Sequence, residues 1–218
     1  MKALIYDMDG VIVDSEIIHM KAETILLARY GITANEALLM PYRGTSDKTM
    51  FEDIKEKYDA AYDVAGIVAE KDDLMRELLR TEELVPIAGA LELIAATDAL
   101  RPCGIRTAIA SSSPHETIAH VTQTFGITNK FDVIESGAEL PMSKPDPTIY
   151  LKTAELLGVA PADCLVIEDA AVGAQAALRA GMTCIGFCSP HSGIQDFTGC
   201  ARIVQSLSEI DLHVYFGG

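Results

Sequence analysis

Residues 4–10 read Leu-Ile-Tyr-Asp-Met-Asp-Gly, and this short stretch decides the fold class of the chain. Its first residues have the length and type of a buried parallel strand, which then ends at two acids and a glycine. Open α/β sheets bind ligands at the carboxyl ends of their strands, so we expect Asp7 and Asp9 to lie at a binding site. Gly10 permits the turn that would bring both side chains to one pocket.

The close spacing of Asp7 and Asp9 has a chemical consequence. Two carboxylates held this near each other repel unless a cation or a shared proton lies between them. The pair therefore favours Mg²⁺ binding and a splitting of the two pKa values, so that one acid is a nucleophile and the other a proton donor. An ordinary Asp-rich surface turn is the alternative for this motif taken alone.

The composition narrows the classes of function. The chain has 218 residues, of which 49% are hydrophobic, so it can form an α/β core with a smaller insertion. Its formal net charge of −15 argues against a nucleic-acid or membrane-surface partner, because both need a basic footprint. No stretch has the length of a membrane span or the pattern of a signal peptide, so we expect a cytoplasmic protein. The five cysteines include no C-x-x-C pair, which argues against zinc and against a disulfide framework.

Helical and strand-like patterns alternate along the chain, with one long interruption. Residues 15–84 contain helical patterns and no strand-like run, so we predict an all-helical cap domain inserted after the first strand. Residues 1–14 and 85–218 are predicted to form a Rossmann-like core, a doubly wound parallel sheet with α/β architecture, in which residues 190–218 close the sheet edge. The predicted strands are 4–6, 105–110, 131–134, 164–167 and 183–187, and the predicted helices are 16–30, 47–60, 63–82, 88–100, 114–125, 146–157 and 171–180.

Three later segments carry residues suited to phosphate chemistry. Ser111 and Ser112 lie between a strand and a helix N-terminus, where hydroxyls and free N–H groups bind anions, although they also suit a plain helix cap. Lys144 lies between turn residues before a helix, where it would hold a phosphoryl oxygen or remain a solvated surface lysine. Glu168 and Asp169 end a further strand and offer oxygen ligands for Mg²⁺.

Four short motifs, in chain order, resemble those of the haloacid dehalogenase-like superfamily of phosphotransferases over essentially the whole chain. They are Asp7-x-Asp9-Gly10, Ser111, Lys144-Pro145 and Glu168-Asp169. The helical insertion resembles the cap that one subclass carries after its first motif. Residues 9–16, with His19 three residues on, resemble most the phosphatase and β-phosphoglucomutase branch. The acid at Asp9 implies phosphoryl transfer and not dehalogenation, because the dehalogenases lack an acid there.

The resemblance implies a role for each motif position. Asp7 would accept the phosphoryl group, and Asp9 would protonate the leaving oxygen and then activate water. Ser111 and Lys144 would bind the phosphoryl oxygens. The residues that would hold Mg²⁺ are Asp7, Asp9 through its backbone carbonyl, Asp169, and Glu168 as a direct or outer ligand.

Hydrolysis and mutase activity both fit this site, and the cap loop favours hydrolysis. The resemblance implies that a mutase holds a second phosphate with an arginine after Ser46 and a lysine at position 114, whereas this chain has Asp47 and Pro114. Arg43 or Lys48 would compensate only in a shifted loop. We therefore predict a phosphatase acting on a small phosphorylated metabolite such as a sugar phosphate, with a β-phosphoglucomutase-type mutase as the alternative.

Three further residues are candidate substrate contacts: Ser112, His19 and Arg43. A structural or surface role is the alternative for the histidine and the arginine.

A different class of function is a receiver domain or a catalytically silent binding protein on the same fold. Receiver domains are about half this length and lack a helical insertion after the first strand, and all four motif positions here carry reactive side chains.

Overall fold

The computed structural model describes residues 1–42, 46–191 and 193–217. The chain divides into two compact units. The first, which we call the core, consists of Met1–Asp14 and Val85–Gly218, and the second, the helical unit, of Ser15–Leu84. None of the helices in the described ranges is both long and apolar enough to cross a bilayer.

The core is built on a parallel sheet of six strands. These are β1 (Ala3–Tyr6), β2 (Arg106–Ser111), β3 (Val133–Ser136), β4 (Cys164–Glu168), β5 (Thr183–Phe187) and β6 (Arg202–Val204). Their order is β3-β2-β1-β4-β5-β6, and each neighbouring pair is parallel. The connection direction reverses across β1 and β4, and in such sheets the ligand crevice lies beyond the carboxyl ends of those strands.

Helices lie on both faces of β1, which explains why its sequence is continuously apolar. Ala3 and Ile5 belong to a buried cluster with residues of the helices that precede β4 and β5, whereas the Tyr6 hydroxyl lies 2.7 Å from Thr97 Oγ1 on the opposite face. All four residues of the strand are buried. The core helices are α5 (Ala90–Asp98), α6 (His115–Thr124), α7 (Thr148–Leu157), α8 (Ala171–Arg179) and α9 (Leu212–Phe216).

The helical unit contains helices and no strand among its described residues. Its α-helices are α1 (Glu16–Arg29), α2 (Glu36–Leu39), α3 (Asp47–Tyr58) and α4 (Val64–Thr81). Leu27, Phe51 and Ile67 belong to one apolar cluster that joins α1, α3 and α4. The prediction of long helices here is therefore correct, although α2 was not predicted.

The chain turns sharply after β1 before it leaves the core. Gly10 N donates to Val13 O at 2.8 Å, and the N–H groups of residues 11–13 all donate to Met8 O. The departing and returning segments then pair with each other, because Asp14 N donates to Val85 O at 2.9 Å. Both ends of the insertion are thus fixed to the same place in the core.

The third strand lies two residues beyond its predicted position of 131–134. The Asp132 carboxylate accepts the Thr107 N–H at 2.9 Å and pairs with Arg101 at 2.6 Å. Asp132 therefore fixes the chain just before β3 and is not part of the strand. β6 forms the edge of the sheet beside β5, as expected for residues 190–218, but neither β6 nor α9 was predicted as an element.

A buried ion cluster stabilises the helical unit. Lys71 of α4 has a side chain only 2% exposed and pairs with Glu23 of α1 at 2.6 Å and with Asp47 at the start of α3. Burial alone would lower the pKa of Lys71, but the two carboxylates raise it. The ammonium therefore stays charged and joins three helices.

Lys71→Met keeps the length of the side chain and removes its charge. We expect the free energy of unfolding, measured by urea titration, to fall by about 3 kcal/mol, because Glu23 and Asp47 lose their counter-charge. Lys48→Met is the matched control, since Lys48 is 73% exposed and pairs with Glu52 at 3.7 Å on the surface of α3. It should change stability by less than about 0.5 kcal/mol. Equal effects of the two substitutions would contradict a stabilising role for the buried cluster.

Candidate active site

Three neighbouring strands deliver polar side chains to one edge of the sheet. Asp7 directly follows β1, Ser111 is the last residue of β2, and Glu168 is the last residue of β4. The loop before α7 adds Lys144, whose side chain is 8% exposed. The structure therefore brings together side chains that lie up to 161 residues apart in the chain, as the motif positions predict.

Lys144 is held from three sides by oxygen atoms. Its Nζ lies 2.6 Å from Asp7 Oδ1 and 2.7 Å from Glu168 Oε1, and it donates to Ala110 O at 3.3 Å. Burial alone would lower the pKa of Lys144, but Asp7 and Glu168 raise it, so the ammonium remains charged. The alternative of a solvated surface lysine is wrong.

A cluster of carboxylates faces this ammonium. Asp7, Glu168 and Asp169 are all buried, and one oxygen from each lies within 4.8 Å of the others. Burial and then the Glu168 charge raise the pKa of Asp7 to about 8, against the lowering effect of Lys144. Three carboxylates against one ammonium leave an excess of negative charge, which suits a divalent cation with oxygen ligands.

Gly10 makes room for this cluster. Its φ is +74°, and a Cβ atom at this position would lie 1.9 Å from Asp169 Oδ2. The glycine of the first motif therefore serves two purposes: it allows the turn after Asp9 and leaves space for a carboxylate from the neighbouring strand end.

Asp9 belongs to a separate network of hydroxyl groups. Its Oδ2 accepts from Ser113 Oγ at 2.8 Å and from Ser111 Oγ at 3.3 Å. Ser111 Oγ also accepts the Ser113 N–H at 3.0 Å, and Ser136 Oγ donates to Ser113 O at 2.7 Å. Asp9 is only partly buried, so this network orients a carboxylate that remains accessible.

Sequence reasoning missed Ser113 and Tyr150. Ser113 lies in a run of serines whose members have similar sequence contexts, and only its contact with Asp9 distinguishes it. Tyr150 is fully buried on α7, and its hydroxyl donates to Glu168 Oε1 at 2.5 Å. Burial and the neighbouring carboxylates raise the pKa of Tyr150 well above its usual range, so the hydroxyl stays protonated. In sequence Tyr150 is only one apolar position of a helix, which carries no sign of this contact.

The predicted substrate contacts lie in different parts of the chain. Ser112 is exposed in the loop between β2 and α6, next to Ser111 and Ser113. His19 is partly buried on α1 of the helical unit. Arg43 lies outside the described residues.

A family model described as haloacid dehalogenase-like hydrolase matches residues 1–181. This span includes all four motifs and the helical insertion. The chain belongs to the haloacid dehalogenase-like hydrolase family.

Individual relatives are similar over most of their length. The fructose-1-phosphate phosphatase YqaB of Escherichia coli is 31% identical over 84% of this chain and 94% of its own. The structure of CbbY from Rhodobacter sphaeroides in complex with phosphate is 25% identical with a TM-score of 0.74, over 96% of both chains. A candidate β-phosphoglucomutase from Thermotoga maritima is 26% identical with a TM-score of 0.73, over 94% of both chains. The resemblance to the phosphatase and β-phosphoglucomutase branch is thus confirmed.

Gly10→Ala tests whether the carboxylate cluster binds a cation. The new methyl group would displace Asp169, so we expect calorimetric titration with Mg²⁺ to give at least about tenfold weaker binding. Gly158→Ala is the matched control, because Gly158 also has a positive φ, +69°, but an added Cβ would meet nothing within 4 Å. Equal Mg²⁺ affinities for the two variants would contradict the assignment of the cluster as a metal site.

Proposed function

We propose that this protein is a Mg²⁺-dependent phosphatase that hydrolyses a small phosphorylated metabolite, such as a sugar phosphate, through a phosphoryl group carried on Asp7. The observation that carries the proposal is the Asp7 carboxylate, held at 2.6 Å by a buried lysine and flanked by Asp169 and Glu168. Membership of a hydrolase family and similarity to a fructose-1-phosphate phosphatase support the reaction and the substrate class.

In the first step an Asp7 oxygen attacks phosphorus, and the bond from phosphorus to the substrate oxygen breaks. Asp9 gives its proton to that leaving oxygen. In the second step Asp9 takes a proton from water, the water oxygen attacks phosphorus, and the bond between Asp7 and phosphorus breaks. Dividing one difficult displacement into two is the advantage of a carboxylate nucleophile.

The two hydrogen-bonded networks suit these two acids. Asp7 is buried and fixed by Lys144, which orients one oxygen for attack and opposes the rise in the Asp7 pKa that burial and Glu168 cause. Asp9 is held through Ser113 at 2.8 Å but remains partly exposed, so it can exchange its proton with substrate and water.

Lys144 and Ser111 would bind the oxygens of the transferring phosphoryl group. The ammonium is buried beside Asp7, where its charge is little screened by solvent. When bound, Mg²⁺ neutralises the developing negative charge on the same group. The residues that would hold it are Asp7, the backbone carbonyl of Asp9, Asp169 and, directly or as an outer partner, Glu168.

The helical unit, residues 15–84, would act as the cap that selects the substrate. His19, Arg43 and, from the core, Ser112 are the proposed substrate contacts. Hydrolysis is preferred to the mutase alternative because of Asp47, which occupies the position of the expected arginine and is paired with Lys71. The Asp47 carboxylate would repel a second phosphate, and Lys71 is already paired with Glu23 and Asp47 inside the helical unit.

Phosphate release from a panel of sugar phosphates tests this proposal. Release should require Mg²⁺ and should fall by about four orders of magnitude in Asp7→Asn, because the nucleophile is lost. Asp163→Asn is the matched control: Asp163 pairs with Lys2 at 2.8 Å just before β4, at the opposite end of that strand from Glu168. The control should retain activity within about twofold.

A second assay separates hydrolysis from the mutase alternative. β-Glucose 1-phosphate is supplied with a bisphosphate primer, and glucose 6-phosphate is followed beside free phosphate. Isomerisation with little phosphate release would contradict the phosphatase proposal and favour a mutase. The absence of both reactions across the panel would favour a binding protein.

Lys144→Met should lower kcat by about 10² to 10³, because a buried charge that stabilises the phosphoryl group is removed. Lys152→Met is its matched control. Lys152 lies on α7, eight residues after Lys144, is 47% exposed and pairs with Glu135 at 2.7 Å. Steady-state rates with the best substrate of the panel measure both variants. Similar rates for the two would mean that Lys144 has no role in the reaction.

A further inference from the structure

Hydrogen bonds hold both oxygens of the buried Glu168 carboxylate. Its Oε1 accepts from Lys144 Nζ at 2.7 Å and from the Tyr150 hydroxyl at 2.5 Å, and its Oε2 accepts the Ala170 N–H at 3.3 Å. A Cβ atom on Gly173 would lie 1.9 Å from Oε1, so the first turn of α8 also packs directly against the carboxylate. Glu168 itself is 1% exposed.

Glu168 Oε1 accepts from Lys144 and from Tyr150, and among the described residues Tyr150 is its one neutral donor. It is fully buried, and its ring centroid lies 5.1 Å from Lys144 Nζ, so the ring supports the ammonium while the hydroxyl binds the carboxylate. The Tyr150 ring contacts Lys144, and its hydroxyl binds Glu168. Among the described residues, no hydrogen bond joins Tyr150 to Asp7 or Asp9. Its role would therefore be exerted through other residues.

The shared oxygen creates a competition. An ammonium has three N–H donors, and those of Lys144 are directed to Asp7, Glu168 and Ala110 O. A carboxylate oxygen that already accepts a hydroxyl proton attracts the ammonium less strongly, because part of its charge is compensated. Without the hydroxyl, Glu168 would hold Lys144 more tightly and draw it from Asp7.

We propose that Tyr150 is a positioning residue that, by binding Glu168 Oε1, keeps Lys144 available to Asp7 and to the phosphoryl group. This inference rests on the proposed phosphatase function of the same site. It assigns the hydroxyl of one tyrosine on α7 a part in setting the reaction rate, beyond its part in packing the core.

Tyr150→Phe removes the hydroxyl and keeps the ring. The loss of one hydrogen bond to a charged group should lower kcat by about tenfold while KM changes by less than about twofold. Mg²⁺, titrated by calorimetry without substrate, should bind about threefold more tightly, because Glu168 loses a donor beside the carboxylate cluster. This binding measurement does not depend on turnover.

Tyr6→Phe is the matched control. Tyr6 is also buried in the core, at 1% exposure, but its hydroxyl lies 2.7 Å from Thr97 Oγ1, outside the site. The Tyr6 hydroxyl also donates to Leu93 O at 3.4 Å, whereas that of Tyr150 binds Glu168. Both variants lose buried hydrogen bonding, so their melting temperatures should fall by similar amounts. Tyr6→Phe should leave kcat and Mg²⁺ affinity as in the original protein.

A double-mutant cycle with Glu168→Gln tests whether Tyr150 acts through Glu168. The effect of Tyr150→Phe on kcat should largely disappear in the Glu168→Gln background, because the charge it modulates is absent. An undiminished effect there would overturn the proposal. So would a Tyr150→Phe variant that matches Tyr6→Phe in kcat and Mg²⁺ affinity, or one that melts far below it.

The failure of the proposed function would look different. If the original protein released no phosphate from any ester, the phosphatase proposal would fail, whereas the Mg²⁺ titrations of the two tyrosine variants would still test Tyr150. If the original protein were active and the two variants behaved alike, only the role of Tyr150 would be overturned.

Discussion

The ammonium of Lys144 lies buried between the carboxylates of Asp7 and Glu168, and the geometry of the site depends on this contact. A buried charge without a partner is costly, so each of these groups fixes the other two. The contact also joins parts of the fold that are distant in sequence: β1, its neighbour β4 and the loop before α7. The pairing of β1 with β4 therefore also brings Asp7 and Glu168 to the same ammonium.

The two acids of the first motif differ because their surroundings differ. Asp7 lies where the sheet excludes water, and its charge is balanced by an ammonium. Asp9 lies two residues on, beyond the strand end, where the hydroxyls of Ser111 and Ser113 hold one of its oxygens. Hydroxyl groups orient a carboxylate without neutralising it, and Asp9 remains partly exposed. One short turn thus produces a buried carboxylate paired with an ammonium and a partly exposed carboxylate held by hydroxyl groups.

Much of the fold follows from the sequence because buried parallel strands and amphipathic helices leave strong patterns, as at Leu4–Tyr6. β6 escaped prediction because it is only three residues long and two of them are exposed. The acids and Lys144 were predicted because turn glycines and prolines mark strand ends. Ser113 and Tyr150 were not, because their importance comes from packing across elements: a tyrosine near the start of α7 has no local sign that it will reach Glu168.

The pairing of Asp14 with Val85 has a further consequence, for how such a protein can change over evolutionary time. The core chain is already closed at that point, since Asp14 N donates to Val85 O and Ile87 N donates to Ile12 O. The entropy of closing a loop rises only slowly with loop length, so the core tolerates insertions of very different size there. Residues 15–84 can therefore diverge in length and sequence while the reacting atoms keep their arrangement. Under the proposed function, in which the helical unit selects the substrate, selection can alter substrate choice in one part of the gene and preserve the chemistry in another.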